Sequence, residues 1–148
     1  MRSLAVQIAA FLVLSLALGL VTKAVHPRAP AWSIQSEPLQ QGEITSAMVE
    51  ESYAGDVLWI DARKSEDFFK QHIPGALSIN PQDHENQLFD NFEVLQVETR
   101  PVVIYCGSHA CQASKKIADY LRENTILEPI YVLRGGWPQW VKDGGAVE

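Results

Sequence analysis

VVIYCGSHAC, residues 102–111, decides the fold of this chain. Its first four residues, Val102 to Tyr105, form a continuous apolar run, which is typical of a parallel strand buried on both faces. Cys106 ends the run, and a short polar loop follows it. The chain then passes directly into an amphipathic helix, predicted over residues 111–123. The stretch therefore predicts a unit in which a buried strand, a cysteine, a loop and a helix follow one another.

Outward from this unit, the same pattern repeats on both sides. Apolar runs predict strands at 57–60 and 130–133 and a weaker strand at 76–79. Helical patterns lie between them, at 47–53, 65–71, 85–95 and in a short last helix opened by Pro138. Alternation of strands and helices predicts an α/β domain with a mostly parallel central sheet.

The amino-terminal segment differs in composition from the rest. Leu4 to Val21 is apolar except for Gln7 and Ser15, and about 18 residues just reach the length that spans a bilayer. We therefore predict one transmembrane helix as an anchor within residues 1–24. The alternative is a cleaved signal peptide with its exit at residues 29–31.

The remaining boundaries follow from proline content and charge. Residues 25–41 contain three prolines and predict a spacer, which leaves 42–148 as the folded domain. The charged residues before Ala31 are Arg2, Lys23 and Arg28. The rest of the chain therefore contains 9 of the 12 basic residues and all 18 acidic residues, which gives it a net negative charge. Such a domain should repel nucleic acid. We expect it on the extracytoplasmic (periplasmic) side of a membrane, in a single-pass protein.

Three of the predicted strands end in a polar or reactive residue. These residues are Asp61, Cys106 and Arg134. Ligands of open α/β sheets bind outside the carboxyl ends of the strands, so all three are candidates for a site. The two cysteines and four scattered histidines lack the spacing of a metal site, and we expect no metal.

Cys106 is the best candidate for chemistry. The first-turn amides of the following helix attract negative charge, and the helix dipole alone would lower the pKa of a thiol by about one unit from about 8.5. Loop amides would have to supply any further stabilisation of a thiolate. The competing interpretation is that Cys106 packs as a small buried hydrophobe, as most free cysteines do.

Four segments, 57–63, 72–80, 103–106 and 132–137, resemble the rhodanese homology domain in order and spacing. The resemblance covers roughly residues 44–144 and implies a three-layer domain. It also implies a sulfurtransferase whose Cys106 carries sulfane sulfur as a persulfide. The amides of Gly107, Ser108, His109 and Ala110 would cradle that anion. A small sulfur compound would be the donor, a thiol or thiol-containing protein the acceptor, and no cofactor would be needed.

The chain departs from the family pattern at Cys111, where common rhodanese loops have an arginine. Loss of that charged hydrogen bond would weaken the binding of thiosulfate roughly ten- to a hundredfold, so persulfide or polysulfide would be better donors. Cys111 could resolve a Cys106 persulfide, protect Cys106 from over-oxidation or merely pack the helix start. Gln112 stands where the phosphatases of this fold need an arginine, which argues against phosphoryl transfer. The Cys-x4-Cys loop also resembles that of some membrane-anchored rhodanese-like proteins.

Four residues are expected to support the loop. Asp61 and Arg63 match the Asp-x-Arg motif of the family and are expected to form an ion pair that fixes the loops. Arg134 ends a strand, and Trp137 is either a core aromatic or part of the pocket wall. Two other functions remain open from the residues: a thiol-disulfide redox protein using Cys106 and Cys111, and a docking domain without catalysis.

Overall fold

The structure is a computed structural model that describes residues 2–25, 38–108 and 112–148. It divides into two units, Met1–Pro38 and Leu39–Glu148. The described part of the first unit forms helix α1 (Arg2–Val25), and the second unit contains the α/β domain.

Helix α1 has 24 residues, and its polar and charged residues lie mostly near its two ends. Its apolar side chains are exposed, among them Leu4, Phe11 and Leu18. Within the ranges that the structure describes, no helix combines the length and the apolarity needed to cross a membrane. The predicted membrane anchor therefore stays a prediction.

Five parallel strands form the sheet of the second unit. They are β1 (Glu43–Ile44), β2 (Leu58–Asp61), β3 (Leu77–Ser78), β4 (Val102–Tyr105) and β5 (Ile130–Leu133). Their order across the sheet is β1-β5-β4-β2-β3, so β4 is central. Asp61 pairs in register with Tyr105, which brings the carboxyl ends of β2 and β4 side by side.

Six helices cover the sheet. They are α2 (Ser46–Tyr53), α3 (Ser65–Phe68), α4 (His84–Asp90), α5 (Phe92–Val97), α6 (Gln112–Asn124) and α7 (Gly136–Lys142). Thr45 caps α2 by accepting a hydrogen bond from the amide of Met48, and Ala54 closes the helix in the left-handed region. Helix α6 buries Ile117, Ala118 and Leu121 against the sheet.

The sheet separates two hydrophobic cores because alternate residues of each strand point to opposite faces. On one face, Ile60 and Ile104 pack with Ile117 and Leu121 of α6 and with Leu95 of α5. The other core joins the sheet to α2, α3 and α7; its members include Val49, Trp59, Phe68, Tyr105 and Trp140. Helices on both faces of a parallel sheet make the domain three-layered.

The structure confirms the α/β fold and corrects several predicted elements. The two-residue edge strand β1 was missed, and strand 76–79 is shortened to β3. The predicted helix 85–95 is divided into α4 and α5 at Asn91, and the predicted helix 65–71 ends at Phe68. The last helix begins at Gly136, before Pro138, because Gly135 can take the left-handed conformation that precedes it.

Candidate active site around Cys106

Cys106 follows the carboxyl end of the central strand β4. Its exposed fraction is only 3%, yet it lines a cavity of about 550 Å³. The residue therefore borders the cavity while exposing little surface to bulk solvent. This is the position that the rule on carboxyl ends of parallel strands predicts for a ligand site.

The backbone after Cys106 is held by the segment that follows β5. The amide of Trp137 donates a hydrogen bond of 2.8 Å to the carbonyl of Cys106. Gly136 approaches the same carbonyl so closely, at a φ of 56°, that a Cβ there would overlap the oxygen. The turn at Gly135-Gly136 thus contacts the cysteine loop through backbone atoms alone.

Asp61 and Arg63 form a buried ion pair beside this loop. Arg63 Nη2 lies 2.6 Å from Asp61 Oδ2, and Nε donates to both carboxylate oxygens. The guanidinium also donates to the carbonyl of Gln71 and lies 4.1 Å from the centroid of the Trp137 ring. Burial opposes the charge, but the hydrogen bond and charge of Asp61 raise the pKa of Arg63 above its ordinary value. Through its contact with Trp137, the paired guanidinium links the end of β2 to α7, which follows β5.

Tyr105, the last residue of β4, fixes a second loop. Its hydroxyl accepts a hydrogen bond of 3.1 Å from the amide of Ile73, just before the Pro74-Gly75 turn. Burial raises the pKa of Tyr105 well above its usual range, so the phenol stays protonated in the folded protein. The 72–80 segment is thereby tied to the strand that carries Cys106.

The cavity is lined by charged and polar residues together with small apolar ones. Those outside the cysteine loop are Ala62, Arg63, Lys64, Asp67, Pro81, Gln82, Gln112 and Ala113. They come from the ends of β2 and β3 and from the first turns of α3 and α6. Helix α6 has no acidic residue in its first turn, so no carboxylate there competes with an anionic ligand.

The structure holds Cys106 in a disulfide. Its Sγ lies 3.3 Å from the carbonyl oxygen of Ser108. A disulfide sulfur carries no hydrogen, so this approach is a nonbonded contact in the oxidised protein, whereas a thiol at the same place can donate to that oxygen.

The structure places some of the predicted site residues in the wall of the cavity and others outside it. Cys106, Gly107, Ser108 and Arg63 line the cavity, whereas Asp61 and Trp137 act on it through Arg63. Arg134 does not line the cavity; its amide pairs with Ile44 of β1. His109, Ala110 and Cys111 lie outside the described residues. Their roles, like the catalytic role of Cys106, stay predictions.

Sequence reasoning missed part of the cavity wall. Lys64 directly follows the Asp61-Ala62-Arg63 motif, and Pro81 and Gln82 follow the end of β3. Applying the rule on strand ends to all strands, and to several residues after each, would have included them. Asn80 orders this turn, because its side-chain oxygen accepts from the amide of Gln82 and its amide group donates to Ser65.

Comparison with known protein families identifies the family of this domain. The rhodanese-like domain family matches residues 45–143, about two thirds of the chain. The chain belongs to this family. The rhodanese-like match begins at the cap of α2 and ends just after α7, so it contains the Cys106 cavity in full. A comparison with curated proteins gives no match.

Solved structures resemble the rhodanese-like domain at low identity. The BH2092 protein from Bacillus halodurans is 25% identical, with a TM-score of 0.55 over 72% of this chain and 75% of that one. A thiosulfate sulfurtransferase from Pseudomonas aeruginosa is 24% identical, with a TM-score of 0.54 over 76% of this chain and 21% of that one. A rhodanese-like domain from Anabaena is 18% identical, with a TM-score of 0.56 over 74% and 80%. The family includes sulfurtransferases, and these likenesses show the shared fold.

Proposed function

We propose that this protein is a sulfurtransferase that carries sulfane sulfur on Cys106. The observation that carries the proposal is the position of Cys106 in the wall of a cavity that charged and polar side chains also line, at the carboxyl end of the central strand and before the first turn of α6. The proposed chemistry needs a nucleophilic sulfur and oriented backbone amides, and no cofactor.

The proposed reaction has two redox-neutral steps. The Cys106 thiolate attacks the outer sulfur of a donor persulfide, a bond forms between the two sulfurs, and the donor leaves as a thiolate. An acceptor thiolate then attacks the outer sulfur of the Cys106 persulfide. The bond to Cys106 Sγ breaks, its electron pair stays on Sγ, and the acceptor leaves as a persulfide.

The disulfide at Cys106 has to be opened before this cycle begins. Cys111 is the only other cysteine of the chain, and we take it as the partner. An external dithiol supplies two electrons and two protons and is itself oxidised to a disulfide. Attack of Cys111 on Sγ of a Cys106 persulfide would form the same bond and release sulfide, which is how Cys111 would act as a resolving thiol.

Intact-mass measurement tests the proposal. The full-length protein, reduced by a dithiol and kept in mild detergent, is mixed with polysulfide and weighed. Wild type is expected to gain one sulfur atom, and Cys106→Ser to gain none. Cys111→Ser should retain the added sulfur longer if Cys111 resolves the persulfide. An equal gain on Cys106→Ser, or no gain on either wild type or Cys111→Ser, would overturn the proposal.

A second candidate is thiol-disulfide exchange, which the disulfide-bonded state of Cys106 favours. It predicts that the oxidised protein oxidises a dithiol substrate with no sulfane donor present, and that both cysteines are needed. If Cys111→Ser transfers sulfur at the wild-type rate, exchange is not part of the sulfur cycle.

Membrane attachment is proposed alongside the activity. Helix α1 exposes apolar side chains along its length, and we propose that residues 1–24 hold the protein at a membrane with the domain on the periplasmic side. Alkaline carbonate extraction of membranes from expressing cells tests attachment. Protease added to the outside of sealed vesicles of known orientation tests the side. Recovery of the intact chain in the carbonate-soluble fraction would refute attachment.

A further inference from the structure

The Cys106 cavity contains two opposite charges that the family motifs do not include. Lys64 and Asp67 both line it together with Cys106. They stand three residues apart across the start of α3, where the amide of Asp67 donates to the carbonyl of Lys64 over 2.9 Å. Lys64 is the extended residue that precedes the helix and Asp67 lies within it, and both line the same cavity.

The two cationic residues of the cavity differ in what they can offer a ligand. The guanidinium of Arg63 is occupied by Asp61 and the carbonyl of Gln71. The ammonium of Lys64 has no hydrogen bond or ion pair with any residue that the structure describes, and its side chain is exposed. A lysine ammonium on a flexible stem can turn into the cavity and meet an anion there.

Asp67 is available to a cation. Its only ion pair among the described ranges is with Lys70, at 3.4 Å, and both side chains are largely exposed. Exposed pairs of this kind contribute little, so a ligand cation competes with Lys70 at small cost. The cavity thus offers a carboxylate and an ammonium beside the cysteine.

We infer that Lys64 and Asp67 select a small thiol that carries both a carboxylate and an ammonium group, such as cysteine, as the acceptor of the sulfur. The inference rests on the proposed function and names its substrate class. The carboxylate of the acceptor pairs with Lys64 and its ammonium with Asp67, while its sulfur faces Cys106. A cavity of about 550 Å³ is of the size that small-molecule ligands occupy.

Other small sulfur compounds fit these charges less well. Thiosulfate is a dianion that would meet one available ammonium and the negative charge of Asp67, and like charges repel. A thiol with one charged group uses only one of the two residues. An amino-acid thiol uses both, so each residue discriminates against a different analogue.

A crossed set of variants and acceptors tests the inference. The Cys106 persulfide is first formed with polysulfide and verified by mass in each full-length protein. Transfer is then measured to cysteine, to 3-mercaptopropionate, which lacks the ammonium, and to cysteamine, which lacks the carboxylate. The variants are Lys64→Gln, Asp67→Asn and, as a matched charge control outside the cavity, Lys142→Gln. Comparing each variant with wild type on one acceptor cancels differences in thiol reactivity.

The expected result is a crossed pattern in KM. Lys64→Gln raises KM about two- to fivefold for cysteine and 3-mercaptopropionate and leaves cysteamine unchanged, as the loss of one exposed ion pair predicts. Asp67→Asn raises KM by a similar factor for cysteine and cysteamine and leaves 3-mercaptopropionate unchanged. Lys142→Gln changes none.

Two failures are distinguishable. If Cys106 of wild type takes up no sulfur, the proposed function itself fails. If Cys106 is loaded but the two cavity variants affect all three acceptors alike, or affect none, the sulfurtransferase stands and the selection of an amino-acid thiol is wrong.

Discussion

The guanidinium carbon of Arg63 lies 4.1 Å from the centroid of the Trp137 ring. The contact links the second residue after the end of β2 with the first turn of α7, which follows β5, and β2 and β5 flank the central strand β4. A planar guanidinium can stack on the ring and form a forked pair with Asp61 at the same time, which a lysine cannot do. The shape of the cysteine loop therefore depends on two segments more than 70 residues apart in sequence.

Asp61→Asn should destabilise the domain strongly. The substitution keeps the shape of the side chain but leaves the buried charge of Arg63 without its partner, a change that costs about 3–5 kcal/mol. Urea unfolding in mild detergent measures the loss. The control is Asp119→Asn, which breaks an exposed pair with Arg122 and should cost no more than about 1 kcal/mol. Equal losses in the two variants would contradict a structural role for the buried pair.

Gly136→Ala should disturb the cysteine loop. The new Cβ would overlap the carbonyl oxygen of Cys106, in addition to the cost of roughly 1–2 kcal/mol for a left-handed alanine. Gly75→Ala is the matched control, because Gly75 has a similar positive φ and nothing within 4 Å of a Cβ. We expect Gly136→Ala to lose more unfolding free energy and to change the alkylation rate of reduced Cys106. Identical effects would show that only backbone conformation matters at Gly136.

Tyr105→Phe should destabilise the domain by about 1–3 kcal/mol, because the buried amide of Ile73 loses its acceptor. Tyr120→Phe is the control, since no hydrogen bond of the Tyr120 hydroxyl is found among the described residues. Hydrogen exchange of the Ile73 amide provides a local measurement. Faster exchange in Tyr105→Phe alone is expected, and unchanged exchange would argue that another group satisfies the amide.

The carboxylate of Glu98 should contribute stability that depends on pH. The Arg100 side chain, which donates to it, lowers the pKa of Glu98 from 4.5 to about 2 in the folded protein. Because the folded pKa is the lower one, the contribution is complete above pH 4.5 and is lost as the pH falls from 4.5 toward 2. Arg100 is half exposed, so the contribution is at most about 1 kcal/mol.

Comparison of wild type with Glu98→Gln checks the sign of this effect. The difference in unfolding free energy between the two proteins should shrink as the pH is lowered from 6 to 3. A difference that is constant or grows on acidification would contradict the depressed pKa. Glu93→Gln, an exposed position on α5, serves as the control and should show no such trend.

The sequence predicted the parallel sheet because its central strands are short, continuous and apolar, a pattern set by burial on both faces. The sequence did not predict β1, because its two residues, Glu43 and Ile44, are too few to show a periodic pattern of apolar residues. Their extended conformation depends on pairing with β5. The break at Asn91 between α4 and α5 was missed for a similar reason. Both helices contribute apolar residues to the same core, so the apolar pattern continues across Asn91 although the helix is interrupted there.

The sequence predicted the site residues that directly follow a recognised strand. It did not predict which residues from different strands the folded sheet brings together in the cavity. Cys106 follows a buried strand, and Asp61 and Arg63 follow its neighbour, so they were found from the sequence. Lys64 and Gln82 also follow strand ends, but that they line one cavity reflects the adjacency of β2 and β3 in the sheet. Arg134 ends a strand of the same kind, yet it lies away from the cavity.

The contact of Gly136 and Trp137 with the carbonyl of Cys106 has a consequence for protein engineering. Backbone atoms alone make the fit, so residues 106–111 cannot be exchanged for the loop of a relative as an independent module. A transplanted loop that alters the course of the main chain at Cys106 would collide with the turn after β5. Chimeras should therefore exchange the cysteine loop and the turn after β5 together, and should keep Arg63, which contacts Trp137.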